Sequence, residues 1–247
     1  MMDIPTIVIT VVIVFLASFI QGLSSFGFPL LAVPLLSLFL PVQTVVPVIT
    51  LLCLVANLPL LKEIKEVEPV RKEASAMLLA SLVTIPVGVF CLKYMDTNYL
   101  KIMIGLAALF CSVLLAKGLR VRIERKVLVS TVVGLLAGFL VGLANVAGPV
   151  LIIFFNNLDL EKKTFRGLMV LMFTAMGVIN TIVSALNGLM TFEVLKLALI
   201  LAALPFVGTW LGARVSIKIN EKMFKSFTLV LLVIVSLTIL YSGISSL

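Results

Sequence analysis

Residues 17–31 read ASFIQGLSSFGFPLL, and residues 137–151 read AGFLVGLANVAGPVL. Six of these fifteen positions are identical at an offset of 120: Ala17/Ala137, Phe19/Phe139, Gly22/Gly142, Leu23/Leu143, Pro29/Pro149 and Leu31/Leu151. Leucines and alanines coincide cheaply in an apolar chain, but a glycine and a proline recurring at one spacing do not. The same offset aligns Thr44 with Thr164 and Gly88 with Gly208. Self-similarity at a fixed period is the signature of a duplicated architecture, so the chain divides into two repeats, 1–122 and 123–247.

Each quoted stretch lies inside a long apolar run, 5–40 in the first repeat and 127–155 in the second, broken across 22–29 and 142–149. Three uninterrupted apolar spans are expected to follow each run. They lie near 43–61, 74–93 and 99–117, then near 167–187, 193–213 and 225–243. Of the 247 residues, 62% are hydrophobic and 12% charged, about half the charged share of a soluble domain. Crossing a bilayer takes ~20 mostly apolar residues. The reading is an all-α polytopic membrane protein with short loops and no separate soluble domain.

The basic residues decide how the interrupted runs cross. If each crossed once, Lys and Arg would divide 10 against 9 between the two sides, which is no bias. If each returns as a re-entrant hairpin, 16 fall on one side and 3 on the other. Cytoplasmic loops carry the excess of Lys and Arg. The expected architecture is therefore two inverted-topology repeats, each a broken helical hairpin followed by three transmembrane helices. Both termini lie outside, and 62–73, 117–126, 156–166 and 214–225 lie inside. The arm 29–40 has 12 residues, about 18 Å of helix, so the two breaks are expected to meet near the bilayer midplane.

Backbone that leaves the helix inside a bilayer persists only where protein or a water-filled cavity covers it, and paired Gly/Pro interruptions in inverted repeats mark secondary transporters. A half-helix restarting after such a break presents free N–H groups and a positive dipole end, which suits an anion. Pro29 and Pro149 fit the first turn, where no N–H is needed. Gly22, Gly27, Gly142 and Gly148 would permit the turn and a close approach to ligand. The candidate substrate-binding residues are Gln21, Ser24, Ser25, Gly27 and Phe28 from the first break, and Asn145, Ala147 and Gly148 from the second. Asn57 and Asn180, on the following spans, would complete the cavity. Hydrogen-bonded helix packing is the competing role for each polar member. Trp210 reads as an interfacial belt residue or a cavity wall, and Arg166 and Arg214 as topology signals or attractors at the inner mouth.

Other classes are disfavoured. The chain has no histidine, no mid-span Lys or Arg, and no carboxylate in mid-span, so a membrane serine hydrolase, a metal site, a cofactor site and a buried carboxylate proton relay lack their residues. Cys53, Cys91 and Cys111 fall in apolar spans and read as small buried hydrophobes. The net charge of +8 lies in short loop clusters rather than a nucleic-acid surface. A channel and a non-transporting assembly factor stay open.

The stretches FLASFIQGLSSFGFPLLAVPLL (15–36), LLAGFLVGLANVAGPVLIIFF (135–155), PVQTVVPV (41–48), KKTFRG (162–167) and PFVGTWLGARV (205–215) resemble the TauE/SafE sulfite and sulfonate exporter family over essentially the whole chain. The second copy is plainer, with Val141 for Gln21 and Ala144 for Ser24. The resemblance implies a carrier in the cytoplasmic membrane for sulfite, sulfoacetate, taurine-related sulfonates or similar small anions. The composition makes the lipid bilayer a partner, and a homodimer stays open. A carboxylate or another small anion stays open as the cargo.

Overall fold

The computed structural model describes residues 4–66, 70–117, 126–158, 160–216 and 221–246. The repeat boundary at 122/123 lies outside them, as do Asp3, Glu68, Arg122, Glu124 and Asp159. Regular structure among the described residues is helical throughout: α1 Ile4–Ser24, α2 Phe28–Leu36, α3 Val42–Asn57 with a 3₁₀ extension Leu58–Glu66, α4 Arg71–Tyr94, α5 Thr97–Lys117, α6 Lys126–Ala144, α7 Gly148–Asn156, α8 Lys162–Leu186, α9 Phe192–Leu201, α10 Ala203–Val215 and α11 Glu221–Ile244.

Among the described residues, five helical segments are long and apolar enough to cross a membrane: Pro5–Ser24, Val42–Leu61, Arg71–Tyr94, Lys126–Ala144 and Lys163–Leu186. The pair α9–α10 makes a sixth if taken together, bent by 40°. That bend corrects the expectation of an uninterrupted span over 193–213. Pro205 lacks an N–H, and its ring crowds the carbonyl four residues back, at Leu201, where α9 ends.

Both interrupted runs break as their sequence indicates, α1 giving way to α2 and α6 to α7 across three residues. The half-helices α2 and α7 have nine residues each, roughly 14 Å, less than half of a ~30 Å hydrocarbon core. Eight of nine residues of α2 and seven of nine of α7 are buried. By contrast, α1, α4, α6 and α11 turn Leu16, Phe90, Leu128, Ile234 and other large apolar groups outward, as lipid-facing helices do. The short half-helices thus sit inside a ring of long ones, where protein covers the open backbone between them.

The halves interlock. Helix α4 packs along α6 and α1 along α10, while α5 packs on α11 and α3 with its 3₁₀ extension on α8. The half-helix α2 touches α11, and α7 touches α5. Exchanging the halves maps this set of pairs onto itself. The two longest interfaces are close because they are built on glycine. A Cβ on Gly22 would stand 2.9 Å from Gly212 Cα and 2.7 Å from Ala213 N. One on Gly142 would stand 3.0 Å from Gly88 Cα and 2.9 Å from Val89 N. Small residues at such positions let membrane helices approach backbone to backbone. Two expectations change here. Gly22 and Gly142 lie within α1 and α6 and serve packing rather than the turn. The counterpart of Gly88 is Gly212 rather than Gly208, because Gly212 meets Gly22 as Gly88 meets Gly142. Cys53, Cys91 and Cys111 are free thiols, the first and last of them buried.

Candidate functional site

The last turns of α1 and α6 close with Ser25 N–H donating to Gln21 C=O at 2.6 Å and Asn145 N–H to Val141 C=O at 2.9 Å. Ser25 and Asn145, 120 residues apart, then adopt left-handed backbone, with φ of 65° and 56°. This turns the chain out of the helix. The conformation costs an ordinary L-residue roughly 1–2 kcal/mol, and Asn tolerates it better than Ser. Gly27 follows at φ 108°, where the missing Cβ removes the strain.

The new half-helices begin without side-chain caps. The first amide of α2 to return to the chain is that of Leu31, onto Gly27 C=O at 3.1 Å; in α7 it is that of Leu151, onto Ala147 C=O at 3.2 Å. Pro29 and Pro149 carry no N–H. The amides of Phe28 and Leu30 in α2, and of Gly148 and Val150 in α7, precede the first intrahelical bond and have no intrahelical acceptor. Both starts are buried, Phe28, Ala147 and Gly148 included.

The breaks touch. From the position of a Cβ on Gly148, Phe26 Cδ2 is 3.6 Å away and Phe173 Cζ 3.4 Å away. So Phe26 of the first break lies against the start of α7 in the second, and Phe173 of α8 closes the other side.

The polar side chains fall into two groups. Gln21 Nε2 donates to Asn57 Oδ1 at 2.7 Å, and Asn57 Nδ2 to Thr174 Oγ1 at 3.2 Å. Asn180 Nδ2 reaches Val141 C=O at 3.1 Å and Thr50 Oγ1 at 3.2 Å, and its Oδ1 accepts from Ser184 Oγ at 3.4 Å. These chains tie α1 and α6 to α3 and α8. Ser24 Oγ bonds within its own break, at 2.5 Å from Phe26 C=O and 2.9 Å from Ile20 C=O. The second group is Ser25 and Asn145. They are 1% and 3% exposed, and Ser25 Oγ and Asn145 Nδ2 have no hydrogen-bond partner. A buried polar atom left unpaired costs about 1–3 kcal/mol, so two at equivalent positions, each three residues before a half-helix, mark a place where something else supplies the partner.

Of the ten residues singled out from sequence, the structure gathers Ser25, Gly27, Phe28, Asn145, Ala147 and Gly148 at the two breaks. It engages Gln21, Asn57 and Asn180 in internal hydrogen bonds, and Ser24 in the turn itself. Phe26 and Phe173 were missed. Phenylalanine is common in this chain, and no spacing distinguishes these two. Trp210 is 40% exposed, and the Arg214 guanidinium carbon lies 3.6 Å from its ring centroid, an outward-facing cation–π pair rather than a cavity wall. Arg166 sits in the second turn of α8, seven residues before Phe173.

Comparison with curated proteins and with solved structures found no match. The chain matches the family of the sulfite exporter TauE/SafE over residues 10–239, nearly its whole length. It belongs to that family, and with its apolar helices it is a multi-pass membrane protein of the transporter class.

Proposed function

We propose that this TauE/SafE protein is a secondary carrier that moves small organosulfur anions, such as sulfite, sulfoacetate or taurine-related sulfonates, out of the cell across the cytoplasmic membrane. The cargo binds where the two breaks meet. The observation that carries this reading is the pair of buried, unpartnered donors at Ser25 and Asn145, beside the starts of α2 and α7. Anions are stabilised at helix N-termini by ~0.3–2 kcal/mol each, and a hydrogen bond to a charged group contributes about 1.5–3 kcal/mol. A few such contacts give an affinity modest enough for release on the far side. No lysine or arginine occurs in α1, α2, α3 or α7, so recognition rests on neutral donors.

The two repeats, 1–122 and 123–247, are taken as inverted, with both termini outside and the breaks near the midplane. The support is the 16-to-3 distribution of basic residues together with contacts that are preserved when the halves are exchanged.

Uptake and counterflow in proteoliposomes test the reading. Ser25→Gly and Asn145→Gly keep the left-handed backbone available while removing one donor each. Each is expected to weaken substrate binding by about ten-fold, ~1.4 kcal/mol, with the protein still folded. Unchanged affinity in both, or no saturable anion exchange by the wild-type protein, refutes it.

A further inference from the structure

Two hydrogen bonds join the halves across α3 and α8. Asn57 Nδ2 of α3 donates to Thr174 Oγ1 of α8 at 3.2 Å, and Asn180 Nδ2 of α8 donates to Thr50 Oγ1 of α3 at 3.2 Å. The chemistry is the same in both, and exchanging the halves exchanges one bond for the other. Each asparagine is also held within its own half. Asn57 Oδ1 accepts from Gln21 Nε2 on α1 at 2.7 Å, and Asn180 Nδ2 donates to Val141 C=O on α6 at 3.1 Å. Thr50 Oγ1 donates its proton to Val46 C=O at 2.8 Å, so toward Asn180 it acts as the acceptor. Gln21 and Val141 stand in the last turns before the two breaks, so each bond is tied to one break.

These residues also fix the crossing. Thr50 precedes Asn57 by seven positions on α3, and Thr174 precedes Asn180 by six on α8, yet Thr50 bonds Asn180 and Asn57 bonds Thr174. The helices therefore run antiparallel here, with the two bonds about 10 Å apart along the axis. Midway between them, a Cβ on Gly177 would stand 3.0 Å from Leu54 Cδ2. Leu54 seats on a glycine at this point, where α3 and α8 can tilt with no side chain of α8 in the way. The bonds differ in exposure: Thr50, Asn57 and Asn180 are buried, and Thr174 is half-buried.

From one neutral bond on either side of a glycine contact, we propose that α3 and α8 form a rocker with two gates. Asn57–Thr174 closes the cytoplasmic path to the breaks, Asn180–Thr50 closes the outer path, and both are closed in this structure. The sides rest on the carrier reading above. There α3 leads to 62–73 and α8 starts from 156–166, both placed in the cytoplasm, so the end of the crossing with Asn57 and Thr174 faces inward. A carrier breaks and remakes its gates in every cycle. A hydrogen bond between neutral side chains in a membrane is weak enough for that, and no Lys, Arg, Asp or Glu occurs in α3 or in residues 167–186 of α8. Opening a gate breaks only the bond between halves; the asparagine keeps its other partner and stays placed to close again. Water can reach half-buried Thr174 and replace its donor, so the inner gate is the looser one, which suits loading from the cytoplasm. Phe173, next to Thr174, lies against the start of α7, so movement at the inner gate also moves a wall of the site.

The test uses the full chain with Cys53, Cys91 and Cys111 replaced and Ser25→Cys placing one thiol at the first break. Its reaction with a membrane-impermeant thiol reagent is timed from each face, in right-side-out and inside-out vesicles. Thr174→Val removes the inner acceptor and leaves Asn57 bonded to Gln21. Thr50→Val removes the outer acceptor and leaves Asn180 bonded to Val141. Thr174→Val is expected to speed the reaction from the cytoplasmic face by about three- to ten-fold, with no gain from the outer face. Thr50→Val is expected to do the reverse. Alanine at either position carries the same expectation, and serine, which keeps the hydroxyl, is expected to react like the parent. Thermal unfolding checks that each protein is folded. Acceleration on one and the same face by both variants, no change on either face, or the two faces interchanged overturns the gates. The labelling needs no cargo, so the carrier reading is judged separately: it falls if the wild-type protein in proteoliposomes gives no counterflow of sulfite or methanesulfonate.

Discussion

Gly142→Ala adds one methyl group to the backbone-to-backbone contact between α4 and α6. The new Cβ would stand 2.9 Å from Val89 N and 3.0 Å from Gly88 Cα, with the Ile85 carbonyl oxygen closer than either. All three obstacles are backbone, so no rotamer change relieves them. Helices α4 and α6 must part by about 1 Å, a gap that forfeits a quarter to a half of the dispersion well at each facing atom pair. Overpacking of this kind costs ~1–3 kcal/mol, and rigid obstacles place it at the upper end. Alanine returns about 1 kcal/mol through its helix propensity. The expected net loss is about 2 kcal/mol. Gly105→Ala is the control: its new Cβ would meet the side chains of Leu240 and Ile239, which can shift, so propensity and crowding should roughly cancel. Thermal or denaturant unfolding of the purified protein in detergent measures both. A Gly142→Ala protein as stable as wild type, or no less stable than Gly105→Ala, would refute the assignment of Gly142 to packing. It would return this glycine to the turn or the ligand.

Asn180→Leu removes the donors to Val141 C=O and Thr50. In a membrane interior such a bond is worth about 0.6 kcal/mol on average and up to ~1.7 kcal/mol, so a stability loss of that order is expected, seen in the same unfolding assay. Arg214→Gln takes away the cation over Trp210 at an exposed position. Equilibrium substrate binding should stay within about two-fold, while flux falls mainly at low ionic strength, where charge steering is strong; a salt series of initial rates checks this. For topology, Cys53, Cys91 and Cys111 are first replaced. Asp96→Cys, at an exposed turn between α4 and α5, should then react with an impermeant thiol reagent on intact cells and Lys163→Cys should not. Reaction at position 163 from outside would reverse the orientation.

Much of the architecture was legible because membrane constraints are written in residue type. A run of apolar residues long enough to span, and a Gly/Pro interruption that lipid cannot satisfy, hardly depend on what packs where. The breaks at 25–27 and 145–147, the half-helices behind Pro29 and Pro149, and the equivalence of Ser25 with Asn145 follow from the duplicated 15-residue stretch. The bend before Pro205 was also visible in principle, since a proline inside an apolar run has the same consequence there as elsewhere. It escaped notice because the run is otherwise continuous.

The tertiary structure decided which face each residue presents, and this no linear pattern contains. Gly22 and Gly148 look alike in sequence, yet one lies against the backbone of α10 and the other between Phe26 and Phe173. Gln21, Asn57 and Asn180 are as polar as Ser25 and Asn145, but their partners stand 36, 117 and 39 residues away along the chain. Whether a buried donor is satisfied depends on those distant partners, and only packing brings them within reach. The sequence by itself determined where the helices break and that the breaks come in pairs, because the cost of open backbone in lipid is local. Which donors remain unpaired at those breaks is a property of the assembled helices, because the groups that satisfy Gln21, Asn57 and Asn180 stand on other helices.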